Sequence, residues 1–163
     1  MDRAKKFGEV YTSEREVNDM LNLVYDETIR IDARFLEPAC GDGNFLIKIL
    51  EKRLHIIGKK YKNSQVEYER YSVQAISSLY GIDILEDNVI NCRKRLSSFF
   101  LQNYKKLFKD SSKNKFIESV NFILSLNIVW GDAISLKTTK DNKPIIFSEW
   151  SFISGSMIKR TDY

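Results

Sequence analysis

Cysteine and histidine are scarce in this sequence, and their scarcity excludes several kinds of site. The chain has two cysteines, Cys40 and Cys92, and one histidine, His55. The cysteines have no C-x-x-C spacing and no histidine beside them, which excludes a zinc site with the usual set of Cys and His ligands. Two separated cysteines also argue against a disulfide scaffold, so we expect no metal and a reducing, cytoplasmic location.

Long apolar runs are missing as well. The chain starts with MDRAKK and continues into polar and aromatic residues, so we expect no signal peptide. No apolar run approaches the length needed to cross a bilayer, and we expect no membrane partner.

What is present is the composition of one globular domain. The 163 residues are 43% hydrophobic and 29% charged, which is enough for a single domain over residues 1–163 with its own core. The net charge is +4. A small basic excess is compatible with a nucleic-acid partner, but it is equally common in proteins that have none.

The spacing of apolar residues predicts alternating helices and strands. Helical spacing of apolar residues occurs over residues 13–25, 44–58, 66–78, 86–96 and 116–124. The third of these helices lies within a polar, tyrosine-rich insertion over residues 59–78, and the fourth continues or restarts over residues 99–107. Short apolar runs predict strands at 34–36, 79–83 and 127–130, with a fourth candidate at 144–147 and a loop over 154–163. This order predicts an α/β fold with a mainly parallel sheet and flanking helices.

A glycine-rich turn follows the first predicted strand. Residues 35–46 read FLEPACGDGNFL, so Gly41 and Gly43 lie where a strand leads into a helix. Ligands of open parallel sheets bind at the carboxyl ends of the strands, and glycine lets the backbone approach a ligand closely. The alternative interpretation is a tight turn with no ligand.

Carboxylates end the next two predicted strands. Asp83 ends the second strand and can accept hydrogen bonds from both hydroxyls of a ribose. Asp132 ends the third and can accept a hydrogen bond from an adenine amino group, while Ala133 leaves room for the ring. Each aspartate alone could instead cap a helix or lie in a loop. Together with the glycine turn they predict a pocket for an adenosine that needs no phosphate site.

These motifs resemble those of the S-adenosylmethionine-dependent DNA adenine-N6 methyltransferases of restriction-modification systems. Residues 37–46 (EPACGDGNFL) are similar to the glycine-rich cofactor motif of that family, and residues 7–13 (FGEVYTS) to the segment that precedes it. Residues 81–84 (GIDI) and 131–133 (GDA) match the ribose and adenine motifs in order. The resemblance covers about residues 7–135 and implies a Rossmann-like methyltransferase fold with S-adenosylmethionine as cofactor.

The resemblance also implies a role for each matching residue. Thr12 would contact the cofactor's carboxylate, and Glu37 would hold its amino group. Asp83 would bind the ribose, Ile84 would pack on the adenine, and Asp132 would bind the adenine amino group. The methionine chain of the cofactor would be lined by Ala39, Gly41 and Gly43.

The sequence departs from the family at the catalytic motif. These enzymes carry Asn/Asp-Pro-Pro-Tyr/Phe after the fourth strand, where it binds the target amine and stacks on the flipped base. The only prolines here are Pro38 and Pro144, so no Pro-Pro occurs. Glu149 and Trp150 are weak candidates for a substitute, although an aromatic residue at a strand end is more often part of a core.

Three interpretations of function remain open. The first is a DNA adenine methyltransferase whose catalytic half is not in this chain, because three or four strands fall short of the family's seven. The second is an inactive cofactor-binding module that needs a partner subunit. The third is a small-molecule methyltransferase, against which the segment at residues 7–13 argues. We expect DNA binding by this chain alone to be weak, because no recognition domain follows.

Overall fold

The fold begins with two short helices in front of the sheet. The computed structural model describes residues 12–154 and 157–163. Helix α1 (Glu14–Leu23) starts at a capping box, in which Ser13 and Glu16 each accept a hydrogen bond from the other's backbone N–H. It ends two residues earlier than the sequence predicts, and α2 (Tyr25–Ile29) follows it.

Three parallel strands form the centre of the sheet. They are β1 (Phe35–Glu37), β2 (Leu79–Asp83) and β3 (Ile128–Asp132), and they lie side by side in that order. A two-residue strand, β4 (Lys137–Thr138), pairs antiparallel with β3. The predicted α/β architecture with a mostly parallel sheet is therefore confirmed.

Four long helices connect and flank these strands. They are α3 (Asn44–Tyr61), α4 (Gln65–Ser77), α5 (Glu86–Phe108) and α6 (Asn114–Asn127), with a 3₁₀ turn at Lys109–Ser111 before α6. One sequence expectation was wrong here, because Gly58 does not end α3, which continues to Tyr61. The helix expected over residues 66–78 is confirmed as α4. Its buried residues, such as Tyr68 and Ile76, pack α4 into the core.

A buried arginine joins the helices to the strand entrances. Arg53 of α3 has no exposed surface, and burial lowers its pKa to about 10, so it stays charged at neutral pH. Its guanidinium donates to the carbonyls of Thr28 and Ala33 at 3.2 and 2.6 Å. It also donates to the carbonyl of Ala75 at 3.3 Å and to the hydroxyl of Ser78 at 2.6 Å. One side chain thus holds α2, the entrance to β1 and the end of α4 together.

The C-terminal part of the chain corrects two further expectations. Residues 144–147 do not form a strand, since only Pro144 makes an isolated bridge, to Lys137. The expected loop over 154–163 is instead largely strand, because β5 (Ser148–Ser154) pairs antiparallel with β6 (Met157–Asp162). The physical reason is that a proline lacks the N–H of a ladder, whereas alternate residues of the hairpin pack against the core.

This hairpin lies at the amino ends of the parallel strands. The hydroxyl of Tyr80, near the start of β2, donates to the carbonyl of Ser148 at 2.9 Å. Arg34, just before β1, pairs with Glu149. Within the described part of the chain, none of the helices combines the length and apolarity that crossing a membrane requires.

Candidate ligand site at the carboxyl edge of the sheet

The glycine turn between β1 and α3 has a backbone that favours glycine at two positions. Gly41 has φ +52° and Gly43 has φ +92°, both in the left-handed region. A Cβ on Gly43 would lie 2.7 Å from Sγ of Cys92, so this glycine also permits close packing on α5. A Cβ on Gly41 would meet no atom within 4 Å, so the space beside it is open to a ligand.

Asp83 fixes this turn to the end of β2. Its Oδ2 accepts a hydrogen bond from the N–H of Gly41 at 2.9 Å. Its Oδ1 accepts from the N–H of Leu85 at 2.8 Å and from Nδ2 of Asn88 at 3.2 Å. Asp83 is only 8% exposed, so its carboxylate stabilises the turn whatever else it binds.

The ends of β2 and β3 are tied together beside Asp83. Nε1 of Trp130 donates to the carbonyl of Ile84 at 3.0 Å. The side chain of Ile84 is 47% exposed, which leaves an apolar surface at the tip of β2. Asp132 accepts a hydrogen bond at Oδ1 from the N–H of Ile134 at 2.9 Å, and this bond lowers its pKa. Ala133 follows it and is partly exposed.

The strand register brings the predicted site residues to one edge. Glu37 lies opposite Gly81, and Asp83 lies opposite Trp130, so Glu37, Asp83 and Asp132 end three neighbouring strands. A small cavity of about 70 Å³ opens beside the turn. Its lining includes Thr12, Glu37, Ala39 and Gly41. Residues 7–11 of the predicted preceding segment lie outside the described residues.

Glu37 has an environment that disfavours its charge. Partial burial raises the pKa of the Glu37 carboxyl, and the N–H of Ala39 opposes this only in part. A raised pKa means that the folded protein holds this proton more tightly than the unfolded chain. Ionised Glu37 therefore costs stability at neutral pH, and a cation placed beside it would recover that cost.

Glu37→Gln is expected to raise the melting temperature at pH 7. The stability difference should vanish below about pH 4, where Glu37 is protonated in both folded and unfolded chains. Thermal unfolding of both proteins between pH 3.5 and 7.5 measures this. The matched control is Glu118→Gln, which removes the same charge from an exposed position on α6. An equal gain in both variants at pH 7 would assign the effect to net charge and contradict the burial argument.

Arg95 is a site residue that the sequence did not reveal. It lies on α5 and forms an ion pair with Asp42 at 2.5 Å, inside the glycine turn. It also donates to the carbonyl of Asp42 at 2.9 Å and to Oδ1 of Asn44 at 2.9 Å. Arg95 thus fixes Asp42 and Asn44 of the turn from α5, while Asp83 fixes Gly41 from β2. Only the tertiary approach of α5 to the turn makes this contact, and no local motif indicates it.

Glu149 and Trp150 are not brought to this edge. Glu149 pairs with Arg34, just before β1. Nε1 of Trp150 donates to Oδ1 of Asn127 at 3.0 Å, just before β3. Both contacts are at the amino ends of the strands, whereas the glycine turn is at the carboxyl ends. The two weak catalytic candidates therefore serve to attach the hairpin.

The described residues also bear on metal binding. Among them, no three His, Cys, Asp or Glu side chains come together in a way that could hold a metal ion. The three carboxylates at the strand ends are separated along the sheet edge by the register given above.

Comparison of the chain with family models, curated proteins and solved structures gave no match.

Proposed function

We propose that this chain is the cofactor-binding domain of an S-adenosylmethionine-dependent methyltransferase of the DNA adenine-N6 type. Its fold would be the Rossmann-like fold of those enzymes. The observation that carries the proposal is the junction of a positive-φ glycine turn with Glu37, Asp83 and Asp132 at three neighbouring strand ends. S-adenosylmethionine, when bound, supplies an electrophilic methyl group, and the residues of this edge bind and orient it.

The methionine end of the cofactor fits the surroundings of the turn. Its ammonium group would compensate the charge of ionised Glu37, a carboxyl whose pKa partial burial raises. The open space beside Gly41 leaves a path for the chain of the cofactor, and Thr12 lines the same cavity. A cavity of about 70 Å³ holds this end only, so the nucleoside would extend over the strand tips.

The nucleoside end fits the tips of β2 and β3. A carboxylate offers about four acceptor positions, and Asp83 already uses three of them for Gly41, Leu85 and Asn88. One ribose hydroxyl can take the remaining position, and the second must displace the longest of these bonds, the one from Asn88. The exposed side chain of Ile84 offers an apolar surface to the adenine.

Cofactor binding is tested by calorimetry with S-adenosylhomocysteine and S-adenosylmethionine. We expect one site per chain. ATP is the matched control ligand, because it carries the same adenosine with a triphosphate that three nearby carboxylates would repel. We expect ATP to bind at least about tenfold more weakly, which corresponds to 1.4 kcal/mol. No heat with either S-adenosyl compound at millimolar concentration would contradict the proposal.

The isolated chain is expected not to methylate DNA adenine at a useful rate. The amino group of adenine is a poor nucleophile, so the target base must be held in line and its amine protons must be accepted. No Pro-Pro motif occurs in the sequence, and Glu149 and Trp150 lie at the other end of the strands. Transfer of labelled methyl groups to mixed-sequence DNA measures this. Robust incorporation that Glu149→Ala or Trp150→Ala abolishes would refute the prediction.

The second candidate function is a cofactor-binding module that acts with a partner subunit. The attachment of Glu149 and Trp150 to the amino ends of the strands favours it, because it leaves neither residue free to serve an acceptor. A chain that binds S-adenosylmethionine and methylates DNA only after a partner polypeptide is added would support the module. Methylation by the chain alone would exclude it.

A further inference from the structure

The charge of this protein is strongly segregated along the chain. Residues 52–66 and 88–117 contain thirteen Lys or Arg and one Asp, and no other acidic residue. The rest of the chain contains thirteen basic and twenty-one acidic residues. The modest net charge of +4 therefore conceals a basic part and an acidic part. The acidic part includes the three carboxylates of the candidate ligand site, Glu37, Asp83 and Asp132.

Much of the basic part is gathered at one end of the molecule. The last turns of α3 and α5 lie together, since a Cβ on Gly58 would be 3.8 Å from Cδ1 of Leu107. Exposed lysines surround this contact, and we call them the basic end: Lys59, Lys60, Lys62, Lys105, Lys106 and Lys109. Tyr61 lies among them and stacks on Tyr71 of α4, with ring centroids 4.4 Å apart.

One glutamate close to the basic end is engaged in other contacts. Oε2 of Glu69 pairs with Nζ of Lys113 at 2.8 Å, and its Oε1 accepts from Tyr104, so its charge is engaged elsewhere. Glu67 also lies on α4, in its first turn. Among the carboxylates whose side chains the structure describes, none forms an ion pair with any of the six lysines.

Helix stability explains only part of this arrangement. Lys59, Lys60, Lys105 and Lys106 lie in the last turns of α3 and α5, where positive charge interacts favourably with the helix dipole. Lys62 and Lys109 lie beyond those turns, and the dipole does not explain the near absence of acidic residues from both segments. Lysines crowded in this way repel one another unless an anionic partner compensates them.

We propose that the basic end is a surface that binds the phosphate backbone of double-stranded nucleic acid without sequence preference. Lysines on firmly packed helix ends suit a regular row of phosphates, and backbone contacts of this kind carry no sequence information. An anionic membrane is a poorer partner, because among the described residues Leu107, at 38%, is the only large apolar side chain exposed at the contact of the two helices.

The basic end is remote from the candidate ligand site. Helix α3 starts at the glycine turn, and its 18 residues span about 27 Å. A duplex bound at the basic end is therefore not held at the cofactor pocket. The surface would act as a second attachment point, and the proposal does not depend on cofactor binding.

The test compares two triple variants of the basic end with a matched control. The variants are Lys59→Gln/Lys60→Gln/Lys62→Gln and Lys105→Gln/Lys106→Gln/Lys109→Gln, which keep helix propensity. The control changes three exposed lysines outside both basic segments, in Lys137→Gln/Lys140→Gln/Lys143→Gln. Each of the three variants loses three positive charges relative to the wild type, so differences among the variants report the position of those charges. Fluorescence anisotropy with a labelled mixed-sequence 20-base-pair duplex gives Kd over a range of salt concentrations.

We expect each basic-end variant to bind the duplex at least about tenfold more weakly than the wild type. The slope of log Kd against log salt should fall by up to about 2.7, the value for three phosphate contacts. The control should change Kd by less than about threefold. Equal weakening in all three variants, or none in the basic-end variants, would overturn the proposal. Tighter binding to phosphatidylserine vesicles than to the duplex, lost in the same variants, would overturn the choice of partner.

Discussion

Arg53→Ala is expected to lower the free energy of unfolding by about 3–5 kcal/mol, the largest effect of any single substitution proposed for this chain. The change removes a fully buried guanidinium that four acceptors share. The carbonyls of Thr28, Ala33 and Ala75 would then be left without this donor inside the core, and a cavity would replace the side chain. Urea unfolding followed by circular dichroism measures the loss.

Two conservative variants separate the contributions of packing and hydrogen bonding. Arg53→Met fills most of the volume but donates nothing, whereas Arg53→Lys keeps the charge but not the forked geometry that reaches both α2 and α4. We expect Arg53→Met and Arg53→Lys to be less stable than the wild type, and Arg53→Ala to be the least stable of the three variants. A loss below about 1 kcal/mol in Arg53→Ala would contradict the role assigned to this residue.

Asp83→Ala is expected to weaken binding of S-adenosylhomocysteine by about 1–3 kcal/mol and also to destabilise the fold by a similar amount. The binding loss follows from the proposed contact with the ribose. The loss of stability follows from the three protein donors that Asp83 now satisfies, including the N–H of Gly41. Calorimetry gives the first quantity, and urea unfolding gives the second.

Asp132→Ala is the matched control for Asp83. Asp132 also ends a strand of the same edge, but its contacts are local, with the N–H of Ile134 and with Ser135. We expect Asp132→Ala to weaken binding with little effect on unfolding. If Asp83→Ala lowers stability but leaves the affinity unchanged, Asp83 is structural only and the ribose assignment is wrong.

The central strands and the glycine turn were predictable because their signals are local. Residues 79–83 form a wholly buried strand, which reads as an apolar run before an aspartate. Gly41 and Gly43 adopt the positive φ that glycine tolerates, and their place between a strand and a helix follows from the flanking pattern. Parallel pairing then brings Glu37, Asp83 and Asp132 to one edge with no further information.

The parts that were missed depend on contacts between distant segments. Arg53 reads as one more polar residue of an amphipathic helix, and only the folded chain places four acceptors around it. Arg95 reaches the glycine turn although it is 53 residues away from Asp42 in sequence. The β5–β6 hairpin was missed because buried and exposed positions alternate only weakly along its two strands. The packing of these strands on the core decides their structure instead.

The most direct test of the adenosine-cofactor site is titration of isotopically labelled protein with S-adenosylhomocysteine, followed by amide NMR. The account predicts saturable shifts at Gly41, Gly43, Ile84 and Ala133, which lie at three neighbouring strand ends, and no comparable shifts at Lys59 or Lys106 in the basic end. Saturable shifts confined to residues away from the carboxyl edge, or no shifts at millimolar ligand, would contradict it.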